Sequence, residues 1–240
     1  MKLVDHVFSE QLGREQLKTK KDLLDMMEHF GLIAPFKVSD AGEVRYFVPA
    51  QLQSNKKFLD IQPLPTGPCA LYVNFDDGFV PHGLYSLLVS RFIKWCSEEG
   101  SPKEPNLYLN AARYFIGTTS DYQLVLRCHK HFIKVVLTCR PMEEPCFYEP
   151  AVSIRKFIES SLEQIPRECR CYRSLRYHLA VLCSLCQSSC ENHKKVACRN
   201  DACIHLLRVE GPNREKLLCK RKNDWPKVKN LEVWYSTKRK

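Results

Sequence analysis

The stretch that decides the fold is LYVNFDDGFVPHGLYSLLVSRFIKWC, residues 71–96. It begins with a mostly apolar segment typical of a buried strand, and the turn residues Asp76, Asp77 and Gly78 follow. Pro81 then predicts the first turn of a helix in which apolar side chains recur every three or four residues. Because its polar stripe is narrow, this helix must be covered on several sides. We therefore predict that it is the central helix of a domain built on a sheet.

The composition is that of a chain able to form one large domain or two small ones. It has 240 residues, of which 44% are hydrophobic, so it can bury a sizeable core. No apolar run approaches the roughly 20 residues that a membrane-spanning helix needs. The N-terminal sequence also lacks the continuous apolar segment of a secretory signal. We therefore expect a cytoplasmic protein with no membrane span.

The net charge of +10 lies almost entirely in the C-terminal fifth of the chain. Residues 194–240 contain 14 Lys and Arg against 5 Asp and Glu, which accounts for nine of the ten charges. Trp225, Trp234 and Tyr235 lie among them. Because bases stack on aromatic side chains while cations contact phosphates, this composition suits a module that binds single-stranded nucleic acid. The alternative is an edge strand at 231–235, whose neighbouring lysines discourage aggregation.

Residues 1–52 contain the signals of a helix followed by a β-hairpin. Gly31 is suited to end the helix, and apolar runs at 32–38 and 44–48 flank the turn sequence SDAGE. A helix and hairpin of this size are similar to the last helix and wing of a winged-helix unit. Residues 53–68, which are polar and contain three prolines, predict a linker to the next unit.

Residues 69–168 predict a second unit in which helices cover a sheet. The opening strand and helix are followed by strand candidates at 106–118, 122–128 and 130–139, and by a helix that begins at Pro150 and ends at Pro166. These signals predict an α+β fold with a mixed β-sheet covered by helices. A basic, Cys/His-rich extension, residues 169–240, is predicted to pack on this unit. It contains two further strand candidates, at 173–182 and 205–209.

Three phrases in the chain together resemble the COR domain of Roco proteins, the domain C-terminal to the Ras-like GTPase called Roc. They are LLDMMEHFGLIAPF at 23–36, YFVPAQL at 46–52 and FDDGFVPHGLYSLLVSRFIKW at 75–95. The first two are similar to the helix and hairpin of the COR-A half. The third is similar to the start of the COR-B half, with Phe75, Pro81, Gly83, Leu84 and Tyr85 at the places of the family pattern. The resemblance implies a partial COR-A unit at 1–52 and a COR-B-like α/β unit at 69–168.

The resemblance implies a signalling scaffold that is not an enzyme. In that family the COR domain relays the nucleotide state of the GTPase and mediates dimerisation. The implied partners are a Roc-type GTPase domain, in cis or in trans, and a second copy of the chain. This sequence departs from full-length family members because it has no G-x-x-x-x-G-K-[ST] phosphate loop and no H-R-D or D-F-G kinase motif. We therefore expect the chain itself to bind no nucleotide.

The cysteines indicate a metal site in the extension. Eight of the 13 lie between Cys169 and Cys219, and an odd total argues against a complete set of disulfides. Cys183 and Cys186 form a CxxC pair, which presents two thiolates from one turn to a tetrahedral zinc ion. The predicted ligands of a structural zinc are Cys183, Cys186, His193 and either Cys203 or His205, with Cys190 and Cys198 as substitutes. The alternative is a set of reduced thiols on a loop between two strands.

Other polar residues are less suggestive of a site. We interpret Asp76 and Asp77 as turn residues rather than an acid/base pair, and His82 as a residue at the helix start. His129 and His131 are one residue apart on a predicted strand, so they share a face and could bind a metal. No third ligand lies near them in the sequence, which argues against that site.

Overall fold

The computed structural model describes residues 14–29, 32–37, 44–54, 61–99, 101, 103–140, 146–187, 203–210 and 217–236. Within these ranges the α-helices are α1 (Arg14–His29), α2 (Leu84–Glu98), α3 (Tyr148–Glu168) and α4 (Ser184–Gln187). The strands are β1 (Ala34–Lys37), β2 (Val44–Phe47), β3 (Leu71–Phe75), β4 (Asn106–Leu107), β5 (Ala111–Ile116), β6 (Tyr122–Cys128), β7 (Phe132–Cys139), β8 (Tyr177–Leu182) and β9 (Leu206–Arg208). The predicted α+β class is confirmed. None of the described helices combines the length and hydropathy that a bilayer crossing requires.

The N-terminal region is a helix followed by a two-stranded antiparallel sheet. Strands β1 and β2 pair from Ala34 opposite Phe47 to Lys37 opposite Val44, which confirms the predicted hairpin strands. The turn sequence between them lies outside the described residues. Strand β1 packs against α2, so this region contacts the second unit directly.

The second unit is built on a seven-stranded sheet with the strand order β4-β5-β6-β7-β3-β8-β9. Each of its described pairings is antiparallel, so the prediction of a mixed sheet is wrong. Helix α2 does not carry the chain from β3 to a neighbouring parallel strand. It leads instead to β4 at the far edge, and hairpins then bring β7 back beside β3. The opening strand β3 thus lies between β7 and β8.

Helices α2 and α3 cover one face of this sheet and form the main core with it. Leu84, Leu88 and Phe92 of α2 are completely buried, which confirms that this is a central helix. Trp95 of α2 stacks on Phe157 of α3 with ring centroids 5.0 Å apart. A second, smaller apolar cluster lies on the opposite face of the sheet.

Three segments differ from their predicted form. Residues 106–118 are not one strand but contain the hairpin of β4 and β5. Helix α3 begins at Tyr148 and includes Pro166 in its last turn rather than ending there. The candidate edge strand at 231–235 is a short 3-10 helix, Glu232–Trp234, because Trp234 turns inward to fill the core instead of pairing along the sheet edge.

The C-terminal segment closes the core beside the start of β3. Trp234 is completely buried, and its indole N–H donates to the carbonyl of Cys69 at 2.8 Å. Arg155 of α3 donates from Nε to the carbonyl of Trp234, also at 2.8 Å. The Asn230 amide donates to the carbonyl of Gly67 at 2.7 Å. The last described residues therefore bind both the segment before β3 and helix α3.

Helix α2 begins at Leu84 rather than at Pro81, because the preceding Gly83 has a left-handed backbone with φ of +79°. A Cβ atom at Gly83 would lie 2.9 Å from the hydroxyl of Tyr172. That hydroxyl donates to the carbonyl of His82 at 2.6 Å and cannot easily move away. Gly83 therefore combines a backbone requirement with a steric one.

Gly83→Ala is expected to lower the free energy of unfolding by about 2 to 5 kcal/mol, since the left-handed backbone and the overpacking each add a cost. Gly117→Ala is the matched control, because Gly117 has φ of +88° but nothing within 4 Å of its added Cβ. It should lose only the backbone contribution of about 1 to 2 kcal/mol. Urea unfolding of both variants measures the difference, and equal losses would rule out the contact with Tyr172.

Candidate metal centre

Four ligand atoms from separate parts of the C-terminal extension converge on one point. They belong to Cys183, Cys186, His205 and Cys219, and all lie within 4.8 Å of one another. We call this group the Cys/His cluster. Cys183 and Cys219 are completely buried, and the other two residues are half-buried. Three sulfur atoms and one imidazole nitrogen form a group that could hold a metal ion.

The ends of two paired strands position three of these side chains. Cys183 follows directly after β8, and Cys186 lies within α4, one turn further along. His205 immediately precedes β9, which pairs with β8. The backbone N–H of Cys183 donates to the carbonyl of His205 at 3.0 Å. Strand pairing therefore sets the position of His205 relative to the CxxC pair.

A tight turn supplies the fourth side chain. The backbone N–H of Cys219 donates to the carbonyl of Asp224 at 2.9 Å, and the N–H of Lys222 donates to the carbonyl of Cys219 at 3.2 Å. Asn223, within this turn, has φ of +47°, a conformation that Asn tolerates better than most residues. The turn holds Cys219 in place opposite the CxxC pair.

The three distances among the ligand atoms of Cys186, His205 and Cys219 are close to those of a tetrahedral zinc site. In a tetrahedral site, Zn–S bonds of about 2.3 Å and Zn–N bonds of about 2.0 Å separate neighbouring ligand atoms by about 3.5 to 3.8 Å. The Sγ atoms of Cys186 and Cys219 are 3.6 Å apart. Nδ1 of His205 lies 3.6 Å from Sγ of Cys219 and 3.1 Å from Sγ of Cys186. These pairs need to move by only a few tenths of an ångström to surround the ion.

The two cysteine thiols that contact Nδ1 of His205, those of Cys186 and Cys219, have pKa values shifted in opposite directions. Burial, together with the neighbouring thiols of Cys219 and Cys183, raises the pKa of Cys186 to about 12. Burial also acts to raise the pKa of Cys219, but backbone N–H groups at Lys222 and Arg221 and the nearby thiols outweigh it and lower that pKa. Cys219 is therefore the thiol of this pair that loses its proton more readily.

His205 is suited to be a ligand in its neutral form. Burial lowers the pKa of His205, and the nearby Arg221 guanidinium adds to this shift. Both effects disfavour the imidazolium ion and keep a nitrogen lone pair available, which is the form of histidine that binds metals.

The structure brings together only part of the predicted ligand set. Cys183, Cys186 and His205 belong to the Cys/His cluster, whereas Cys203, two residues before His205, does not. The other predicted ligand and both substitutes lie outside the described residues, namely His193, Cys190 and Cys198. Cys219 was not among the predicted ligands, since it has no cysteine or histidine at a ligand spacing beside it. The signal that could have found it is the sequence KRKND that follows, because Asn and Asp are typical of tight turns.

The paired aspartates before α2 contact different side chains. Oδ1 of Asp76 lies 2.9 Å from Nδ1 of His178, whose other nitrogen contacts the amide of Asn74 at 3.2 Å. Asp77 forms an exposed ion pair with Arg176 at 3.6 Å. The two carboxylates therefore separate to bind neighbouring groups.

The two histidines of the β6–β7 turn are also held by different partners. Nδ1 of His131 is hydrogen-bonded to the carbonyl of Gly78, and the ring of His129 packs on Phe132 with centroids 4.6 Å apart. Neither histidine belongs to a group of three metal-ligating side chains among the described residues.

A cleft of about 450 Å³ lies where the N-terminal region meets α2 and α3. Glu28 and Pro35 line one side, and Trp95 and Phe157 lie on the other. Arg91 spans the two helices and donates to Gln164 at 2.9 Å. The cleft is therefore bounded by both of the regions that the sequence analysis separates.

No protein-family model matches this chain, and no curated protein shows significant similarity to it.

Proposed function

We propose that this chain is a non-enzymatic binding scaffold whose C-terminal extension is held to the sheet by a structural Zn²⁺ ion. The observation that carries the structural zinc is the convergence of Cys183, Cys186, His205 and Cys219. Four protein ligands complete a tetrahedral site and leave no open position for water or a substrate. This distinguishes a structural zinc from a catalytic one.

The ion has a clear structural task in this fold. Between Leu217 and Tyr235 the described chain has little regular pairing, apart from one bridge between Cys219 and Asp224. A metal ion stabilises such a segment because the free energy of metal binding is gained only when the folded site brings the ligands together. An ion at the Cys/His cluster joins this segment to the ends of β8 and β9.

The scaffold role rests on the resemblance to COR domains of Roco proteins. Its support is the order of elements that carry the matched phrases, namely α1 with its hairpin, then β3, then the apolar helix α2. The first two matched phrases lie in a region that packs directly on the third. We propose a Roc-type GTPase domain, in cis or in trans, and a second copy of the chain as the partners.

A binding assay tests the scaffold role. The presence of zinc is tested separately, by comparing the metal content of the Cys219→Ser and Cys203→Ser variants. For the assay, a Roc domain loaded with GDP or with a non-hydrolysable GTP analogue is titrated with the full chain by calorimetry. We expect the two Kd values to differ by about 5- to 150-fold, which corresponds to a coupling free energy of about 1 to 3 kcal/mol. Light scattering should give the mass of a dimer.

A Ras-like GTPase from outside the Roco family serves as the control and should not bind in either nucleotide state. Absence of binding to both loaded forms of the Roc domain, together with a monomeric mass, would contradict the scaffold role. That result would not contradict the zinc site, because the metal content of the protein is measured separately.

A further inference from the structure

The turn that carries Cys219 also presents three consecutive cations to solvent. Lys220, Arg221 and Lys222 are all exposed. Their backbone is closed at the base by the hydrogen bond from Cys219 to Asp224. The cations are thus attached to a short, defined turn next to the Cys/His cluster rather than to a long extended tail.

An exposed tryptophan lies directly beside these cations. The side chain of Trp225 is 55% exposed, although its backbone N–H is held by the Asp224 carboxylate at 2.7 Å. Leu218 is partly exposed on the other side of the turn. The indole is therefore available to a ligand in the same short turn as the three positive charges.

The other two aromatic residues of the basic tail are occupied within the fold. Trp234 is completely buried, and Tyr235 packs under the guanidinium of Arg155, 4.6 Å from its ring centroid. Of the three aromatic residues among the C-terminal charges, Trp225 is the one that presents its ring to solvent. A stacking interaction with an external ligand would therefore use this side chain.

We propose that the turn formed by residues 218–225 binds single-stranded nucleic acid. Lys220, Arg221 and Lys222 contact successive phosphates, and a base stacks on Trp225. The proposal rests on the zinc ion inferred above, which anchors the base of the turn through Cys219. An anionic membrane is the less suitable ligand, because the turn itself carries three cations whereas polybasic membrane sites use four to eight. Among the described residues, the exposed large apolar side chains of this turn are those of Leu218 and Trp225.

The test uses the full chain and a fluorescein-labelled oligothymidylate of about 15 nucleotides, followed by fluorescence anisotropy. Three phosphate contacts on a single strand give a slope of log affinity against log salt of about −2. Affinity should therefore fall about twentyfold between 50 and 200 mM salt. Neutralising all three cations as K220Q, R221Q and K222Q should reduce the slope to near zero. Trp225→Ala should weaken binding by about 5- to 150-fold.

The matched control changes Lys227 and Lys229, which are exposed in the same segment but lie outside the turn. In the K227Q, K229Q variant, the slope of log affinity against log salt should stay within one unit of the wild-type slope. Loss of binding in this control equal to that in the triple variant would overturn the proposal, since charge alone would then explain it. Binding to phosphatidylserine vesicles but not to the oligonucleotide would also overturn it.

Metal content is measured in each variant, so that a failure of the turn and a failure of the zinc site can be told apart. Wild-type protein that contains zinc but does not bind the oligonucleotide overturns this inference and leaves the zinc site in place. Salt-dependent binding by metal-free, folded protein supports the turn as a ligand site and overturns its dependence on zinc.

Discussion

Cys219→Ser is expected to abolish zinc binding, whereas the wild-type protein should contain one zinc ion per chain. The substitution removes one of four converging ligands, so the site can no longer close around the ion. Loss of a residue that merely orients a ligand costs about 10- to 100-fold in metal affinity. Loss of a ligand itself should therefore exceed about a hundredfold. Elemental analysis and competition with a chromophoric chelator measure the stoichiometry and the affinity.

Cys203→Ser is the matched control for this experiment. Cys203 lies in the same Cys-rich segment and is half-buried, but it does not belong to the Cys/His cluster. This variant should retain one zinc ion with the wild-type affinity. Folded wild-type protein without metal, or the same loss of zinc in both variants, would show that the Cys/His cluster is not a zinc site.

Trp234→Ala is expected to lower the free energy of unfolding by about 3 to 5 kcal/mol, the range for truncating a large buried aromatic side chain. The indole is completely buried, so its removal leaves a large cavity. The carbonyl of Cys69 also loses the hydrogen bond that it accepts at 2.8 Å. Chemical unfolding followed by circular dichroism measures the change, which is a large fraction of the stability of an ordinary domain.

Trp225→Ala provides the comparison on the same segment. Because this side chain is 55% exposed, its truncation should change the free energy of unfolding by no more than about 0.5 kcal/mol. Similar losses in the two variants would mean that Trp234 does not fill the core as described. The two variants also distinguish the roles of the two tryptophans. Trp225→Ala should weaken oligonucleotide binding, whereas Trp234→Ala should lower the free energy of unfolding.

Local sequence patterns predicted much of the fold because they report on neighbouring residues. The alternation of apolar and polar residues placed β6 correctly at Tyr122–Cys128. Apolar spacing identified α2 as a central helix, and turn residues identified the β1–β2 hairpin. The error at Pro81 has a local cause too, since the left-handed backbone of Gly83 starts the helix three residues later than the proline suggests.

Which strands become neighbours is a long-range property, and periodicity carries no information about it. The mixed sheet was predicted from the alternation of strands and helices along the chain. In the structure β3 pairs with β8, which lies more than a hundred residues later in the chain, and the two strands run antiparallel to each other. The same limit applies to Trp234, whose partner Cys69 is 165 positions away.

The sequence by itself determined the α+β class, the helix-and-hairpin beginning, the central helix and the CxxC pair of the Cys/His cluster, and it left His205 as one of two alternatives for a further ligand. These features depend on residue spacing within a turn, a strand or a helix, and such spacing is visible in a single chain. Tertiary structure alone decided that Cys219 completes the cluster, because Cys186 and Cys219 are 33 positions apart and meet only when the tail folds back onto β8. It also decided which tail tryptophan fills the core and which one faces solvent.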